Sequence, residues 1–150
     1  MQEADIENPQ PQTLAFKSKK NKKSRVLLVE DDMISRKVMQ YMVENSGCEC
    51  DTVIIGEEAL QLFKEKEYDL VFMDHGLPGE LDGEQTTQHI RAYEDEMLRK
   101  DKVPIIMVSA HLFYQDHPQM YEAGCTHIIN KPLRPDQLRE IFEYYGLSVK

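Results

Sequence analysis

Val26-Leu27-Leu28-Val29 runs straight into Glu30-Asp31-Asp32, and Leu70-Val71-Phe72-Met73 runs into Asp74. Short apolar runs of this kind are what strands buried on both faces of a parallel sheet require. If the two runs are neighbours in one sheet, their carboxyl ends bring several carboxylates into one crevice. Such crowding is unfavourable: at about 4 Å and an effective dielectric of about 20, a pair of like charges costs on the order of 4 kcal/mol. Protonation or a bound divalent ion has to offset it.

Outward from these runs, short apolar segments alternate with amphipathic ones. Strands are expected over residues 25–30, 49–54, 69–73, 105–109 and 127–130, and helices over 33–46, 57–66, 84–100, 114–123 and 135–145. The helical stripes are Ile34, Val38, Tyr41 and Met42 in the first helix, and Ala59, Leu60 and Phe63 in the second. Ile90, Tyr93 and Met97 mark the third, and Leu138, Ile141, Phe142 and Tyr145 the last. Gly47 stops the first helix, Asp74 to Gly83 form a Gly/Pro-rich loop, and Pro118 falls inside the fourth helical window. Five strand–helix alternations predict an α/β fold with a doubly wound, five-stranded parallel sheet covered by helices on both faces.

With 150 residues, 41% of them hydrophobic, the chain suits one domain with a proper core plus some excess. The excess is residues 1–24, where Pro9, Pro11 and the run Lys17-Ser18-Lys19-Lys20-Asn21-Lys22-Lys23 predict a disordered linker or tail. Five lysines against three acids give this segment a charge of +2; with −9 overall, residues 25–150 carry −11. So acidic a domain argues against nucleic acid as the main partner, since that binding depends on neutralising phosphates with Lys and Arg. No apolar stretch approaches the roughly 18 residues of a membrane span, and no apolar signal core opens the chain, so a cytoplasmic location is expected. Cys48, Cys50 and Cys125 have no second pair at zinc-ligand spacing and are expected to be reduced, structural thiols.

The expected strand ends carry Glu30-Asp31-Asp32, Asp74, Ser109-Ala110 and Lys131-Pro132. Ligands of doubly wound sheets gather at these ends, so carboxylates, a hydroxyl and an ammonium are expected to converge. Magnesium takes oxygen ligands, keeps several waters, and typically uses one or two carboxylates plus phosphate oxygens. A phosphoryl group on Mg²⁺ is therefore the expected ligand.

Four motifs, each closing its own strand and in the right order, then carry a family resemblance: Val29-Glu30-Asp31-Asp32, Phe72-Met73-Asp74, Val108-Ser109-Ala110 and Asn130-Lys131-Pro132-Leu133. Over about residues 25–148 the chain resembles the receiver domain of two-component signalling, most of all the C-terminal receiver of a hybrid sensor histidine kinase. The resemblance implies a flavodoxin-like fold with strand order 2-1-3-4-5, and Asp74 as acceptor of a phosphoryl group from phosphohistidine. It implies Asp31 and Asp74 as direct Mg²⁺ ligands, Glu30 acting through water, the Gly76 carbonyl as a further ligand, and Asp32 as peripheral. Lys131 would pair with Asp74 and later with the phosphoryl group, and Ser109 would swing inward, with Ala110 and Ile128 completing the switch. The implied partner is a histidine kinase or a histidine phosphotransfer domain; a homodimer through helix four, strand five and helix five is left open. The domain would catalyse its own phosphorylation and dephosphorylation without being an enzyme in its own right.

The chain departs from the family at two places. Ile128 stands three residues before Lys131, where receivers often carry Tyr or Phe, and the loop after Asp74 is one residue longer than usual, beyond Pro78. His75 and His111 are placed at the rim of the crevice as candidates for tuning the hydrolytic water, whereas His89, His117 and His127 are surface or packing residues. Two other readings compete. An aspartyl-phosphate phosphatase similar to the haloacid dehalogenase family would want a second Asp two residues after the nucleophile, where this chain has Gly76. A degenerate receiver serving only as a binding platform would lack the acceptor, the metal acids or the lysine. No kinase or ATP-binding motif is present, so the chain is read as either an excised module or a stand-alone receiver.

Overall fold

The structure, a computed structural model, describes residues 23–110 and 116–147. Ten elements alternate strictly: β1 (Arg25–Val29), α1 (Met33–Asn45), β2 (Glu49–Val53), α2 (Gly56–Glu65), β3 (Leu70–Asp74), α3 (Gly83–Glu96), β4 (Ile105–Ser109), α4 (His117–Ala123), β5 (His127–Asn130) and α5 (Pro135–Tyr145). The strands are all parallel in the order β2-β1-β3-β4-β5. β1 has neighbours on both sides, pairing Val29 with Val53 and with Met73. Asp74 pairs with Val108, and Ser109 with Asn130, so the strand ends form a stepped row.

Successive side chains of a strand point to opposite faces, which sorts the core into two layers. Leu27, Val29, Val71, Met73, Ile105 and Met107 pack with Ala59, Phe63, Ile90 and Met120 from α2, α3 and α4. Val26, Leu28, Leu70, Phe72, Ile106 and Val108 pack with Met39, Val43, Leu138 and Phe142 from α1 and α5. Each such burial stabilises the fold by roughly 1.5–3 kcal/mol. This is why β1, β3 and β4 contain almost nothing polar before their last residue.

Several element expectations are corrected. The stripe Ile34, Val38 and Tyr41 faces solvent, with Ile34 71% and Tyr41 69% exposed, and α1 buries Met39 and Val43 instead. The helix has two apolar faces, and spacing alone does not say which one meets the sheet. Helix α3 stops at Glu96 rather than near residue 100; Leu98 takes a positive φ of 57°, and Met97 is exposed. β1 ends at Val29 rather than at residue 30, while β3 extends to include Asp74. α4 begins at His117, with Pro118 in its first turn, where its missing N–H disrupts nothing, and residues 114 and 115 of the expected helix lie outside the described residues. β4, β5 and α5 have the expected bounds. His111 and residues 1–22 of the expected linker lie outside the described residues.

Candidate functional site

Glu30 follows β1 directly, and its backbone N–H donates to the Val53 carbonyl, continuing the ladder one residue past the strand. That contact turns the side chain inward, where Glu30 is only 1% exposed. Asp31 is exposed, and Asp32 caps α1, accepting from the Ser35 N–H at 2.9 Å while its own N–H donates to Glu30 Oε2 at 3.1 Å. Accepting that N–H holds the Asp32 carboxyl below its ordinary range, so it is committed to the helix end as the peripheral member of the group.

Asp74 ends β3 and is 5% exposed. Glu30, Asp31 and Asp74 each offer an oxygen within 4.8 Å of the others. Burial, then the charge of Glu30, push the Asp74 carboxyl above its ordinary value, against the lowering influence of the Gly76 N–H and Lys131. Asp31 is raised too, by partial burial and then by its hydrogen bond with Asp74 and that group's charge. Crowding anticipated from the sequence therefore exists.

Lys131, after β5, is the compensating cation. Its Nζ lies 2.9 Å from Glu30 Oε1, 3.1 Å from Glu30 Oε2 and 3.4 Å from Asp74 Oδ1. Burial disfavours the ammonium, yet its hydrogen bond to Glu30 and the charges of Asp74 and Glu30 outweigh this and raise its pKa. The expected pairing with Asp74 is present, and the hold by Glu30 is tighter: Glu30 anchors the lysine as well as contributing to the acid group. The Lys131 N–H donates to the Ser109 carbonyl at 2.8 Å, and the peptide to Pro132 is cis.

Gly76 lies in the turn after β3, and its N–H donates to Asp74 Oδ1 at 3.1 Å. Ser109 is buried at the end of β4, Ala110 beside it is exposed, and Ile128 is half-buried in β5. His75 does not turn toward the acids: its Nε2 lies 2.9 Å from Glu84 Oε2 in the first turn of α3. Gly83 shows why α3 starts where it does, because a Cβ there would collide with the Asp74 carbonyl oxygen. The three cysteines are thiols and not disulfides, and burial pushes the Cys50 thiol up to about 12.

Two features carry no simple sequence signal. Glu94 is fully buried, receiving Arg91 Nη1 at 2.7 Å and the Val103 N–H at 2.9 Å, while Arg91 Nε reaches the Gly124 carbonyl at 2.9 Å. Its place one turn after Ile90, on the inward stripe, was the available hint. Glu57, in the first turn of α2, accepts the Glu80 N–H at 3.2 Å and so touches the loop after Asp74.

The acid group offers oxygen donors only, which suits a hard divalent cation and not zinc. A half-buried lysine beside it adds a donor for an anionic ligand. A sheet of order 2-1-3-4-5 with carboxylates, a hydroxyl and an ammonium at its carboxyl ends defines a phosphoryl-handling α/β domain. The chain belongs to the response regulator receiver domain family, whose model matches residues 26–143.

The chain is 32% identical over 125 residues to hybrid signal transduction histidine kinase L of Dictyostelium discoideum, covering 81% of this chain but 7% of that protein. The receiver domain of a Pseudomonas aeruginosa sensor histidine kinase, solved with magnesium in its active-site cleft, is 30% identical. It superposes with a TM-score of 0.72 over 83% of this chain and 98% of that one. The receiver domain of the Saccharomyces cerevisiae regulator Ssk1, solved with the phosphotransfer protein Ypd1, gives 25% identity and a TM-score of 0.76 over 85% and 92%.

Proposed function

We propose that this domain accepts a phosphoryl group from a phosphohistidine onto Asp74, and that Glu30, Asp31, Asp74 and the Gly76 carbonyl form its Mg²⁺ site. The observation that carries this reading is the placing of Lys131 Nζ within 3.4 Å of both Glu30 and Asp74, beside an all-oxygen acid group. The Asp74 carboxylate attacks phosphorus, the P–N bond breaks with its electron pair passing to the imidazole, and an acyl phosphate results. Mg²⁺, when bound, supplies charge neutralisation for the phosphoryl oxygens and for the crowded carboxylates. Lys131, held by Glu30 before and after, is the donor that stays with the phosphoryl group when Asp74 gives up its charge. Ser109 then supplies a hydroxyl from the next strand end, and Ala110 and Ile128 follow it.

The donor is proposed to be a histidine kinase or histidine phosphotransfer domain, as the solved pairing of the yeast receiver supports. Met33, Ile34, Val38 and Tyr41 offer it an exposed apolar face on α1, immediately after the acids. A cytoplasmic location, the role of residues 1–24 as a linker, and a homodimer through α4, β5 and α5 belong to the same reading. His75, tied to Glu84, is not proposed to tune hydrolysis. Incubation with Mg²⁺ and acetyl phosphate tests the core of it. The wild type gains the mass of one phosphoryl group and Asp74→Ala does not. An unmodified wild type would favour the binding-platform reading, and a labelled Asp74→Ala would displace the acceptor.

A further inference from the structure

The loop after Asp74 is fastened to the sheet side of the molecule at two points. Gly83 presses on the Asp74 carbonyl, and Gly56, at the start of α2, lies so close to Leu81 and Thr86 that a Cβ there would collide with the Thr86 hydroxyl. Between these contacts and Asp74 runs the stretch that holds Gly76 and the additional residue. Leu77 is buried, Pro78 is exposed, and Gly79 takes a φ of +92°.

Ile55 and Glu57 both lie against the outer bend of this stretch, and Glu57 brings polar atoms to it. Glu57 Oε2 accepts the Glu80 N–H at 3.2 Å, and Oε1 is buried where it faces the Gly79 backbone, 3.5 Å from where a Cβ would stand. Oε1 has no hydrogen-bond partner among the described residues. An acceptor buried without a partner costs about 1–3 kcal/mol, so Glu57 is not explained by the stability of α2 alone.

We propose that Glu57 is a positioning residue for phosphoryl acceptance: its carboxylate clamps the lengthened loop at Gly79–Glu80 and thereby fixes Gly76 against Asp74. This rests on the reading of Asp74 as acceptor. Gly76 is three residues from the clamp and donates its N–H to Asp74 Oδ1, so a bend left loose at Glu80 lets the Gly76 turn drift from the carboxylate. Groups that orient a metal site from outside it typically change affinity or activity 10–100-fold when lost.

The test compares wild type, Glu57→Ala and Glu57→Gln in Mg²⁺ titrations and in the rate of labelling by acetyl phosphate, with thermal unfolding as a check on folding. Glu57→Ala is expected to weaken Mg²⁺ roughly 10-fold and slow labelling to match. Glu57→Gln keeps an amide oxygen for the Glu80 N–H and removes the charge, and it is expected to restore most of both. Wild-type behaviour in Glu57→Ala overturns the proposal. A Glu57→Gln as defective as the alanine variant overturns it as well, because charge and not position would then be the cause. Failure of the wild type itself to bind Mg²⁺ or take label is a different result, and counts against the acceptor reading.

Discussion

Replacing Asp74 by asparagine keeps the acceptor for the Gly76 N–H and removes one of three crowded charges, so it asks whether the acid group is a burden on the metal-free fold. At no more than 4.8 Å each, the Glu30–Asp74 and Asp31–Asp74 repulsions are at least about 3.5 kcal/mol apiece, against a Lys131–Asp74 attraction of about 5 kcal/mol at 3.4 Å, all at an effective dielectric of about 20. The repulsions outweigh the attraction, and Lys131 retains Glu30 in the variant. Desolvation of a carboxylate that is almost fully buried acts in the same direction and costs several kcal/mol per ion. Asp74→Asn is expected to stabilise the metal-free domain at pH 7 on the order of 1–2 kcal/mol, a midpoint rise of roughly 3–8 °C.

The pH dependence has a definite sign. A carboxyl raised on folding favours the native state while protonated, and that advantage disappears as pH rises through its native value. Since Asp74 is raised above 3.8, the gap between variant and wild type opens as pH climbs from below about 4 toward neutrality. Mg²⁺ works the other way: at ten times its dissociation constant it adds about 1.4 kcal/mol to the wild type and little to the variant. Chemical denaturation of both proteins in chelator and in Mg²⁺, near pH 3.5 and at pH 7, reads all of this. A variant less stable than wild type in chelator at pH 7 would refute the reasoning.

Lys131→Ala leaves Glu30 buried without its cation, and is expected to cost roughly 2–4 kcal/mol in chelator, with Mg²⁺ recovering part of it in the same denaturation assay. Gly83→Ala drives a Cβ into the Asp74 carbonyl, so a loss of about 1–3 kcal/mol and slower labelling by acetyl phosphate are expected together. Glu94→Ala leaves Arg91 and the Val103 N–H without their shared acceptor, and is expected to destabilise by about 3 kcal/mol or more while leaving Mg²⁺ affinity of the folded protein unchanged.

How far the residues alone reveal this molecule depends on where the information lies. Strands β1, β3 and β4 are legible because burial on both faces demands uninterrupted apolar runs, and their acidic or hydroxyl ends stand out against them. Helix α1 is not, because Met33, Ile34, Val38 and Tyr41 form a second apolar stripe that no sheet residue covers, and periodicity cannot rank two stripes. In the site, Glu30, Asp31, Asp74 and Lys131 come together as the motifs imply. The preference of Lys131 for Glu30, the turning of His75 to Glu84, and the reach of Glu57 to Glu80 depend on side-chain direction and on contacts between distant segments. Local pattern holds no trace of such contacts.

Crystals soaked with Mn²⁺ and beryllofluoride, measured for anomalous scattering, bear most directly on the central claim that four residues from three distant segments serve one metal-bound phosphoryl group. The account predicts a single strong manganese peak among Glu30, Asp31 and Asp74, with the fluoride group on Asp74 and Lys131 in contact with it. A metal seated elsewhere, or a fluoride group bound away from Asp74 and out of contact with Lys131, would contradict it.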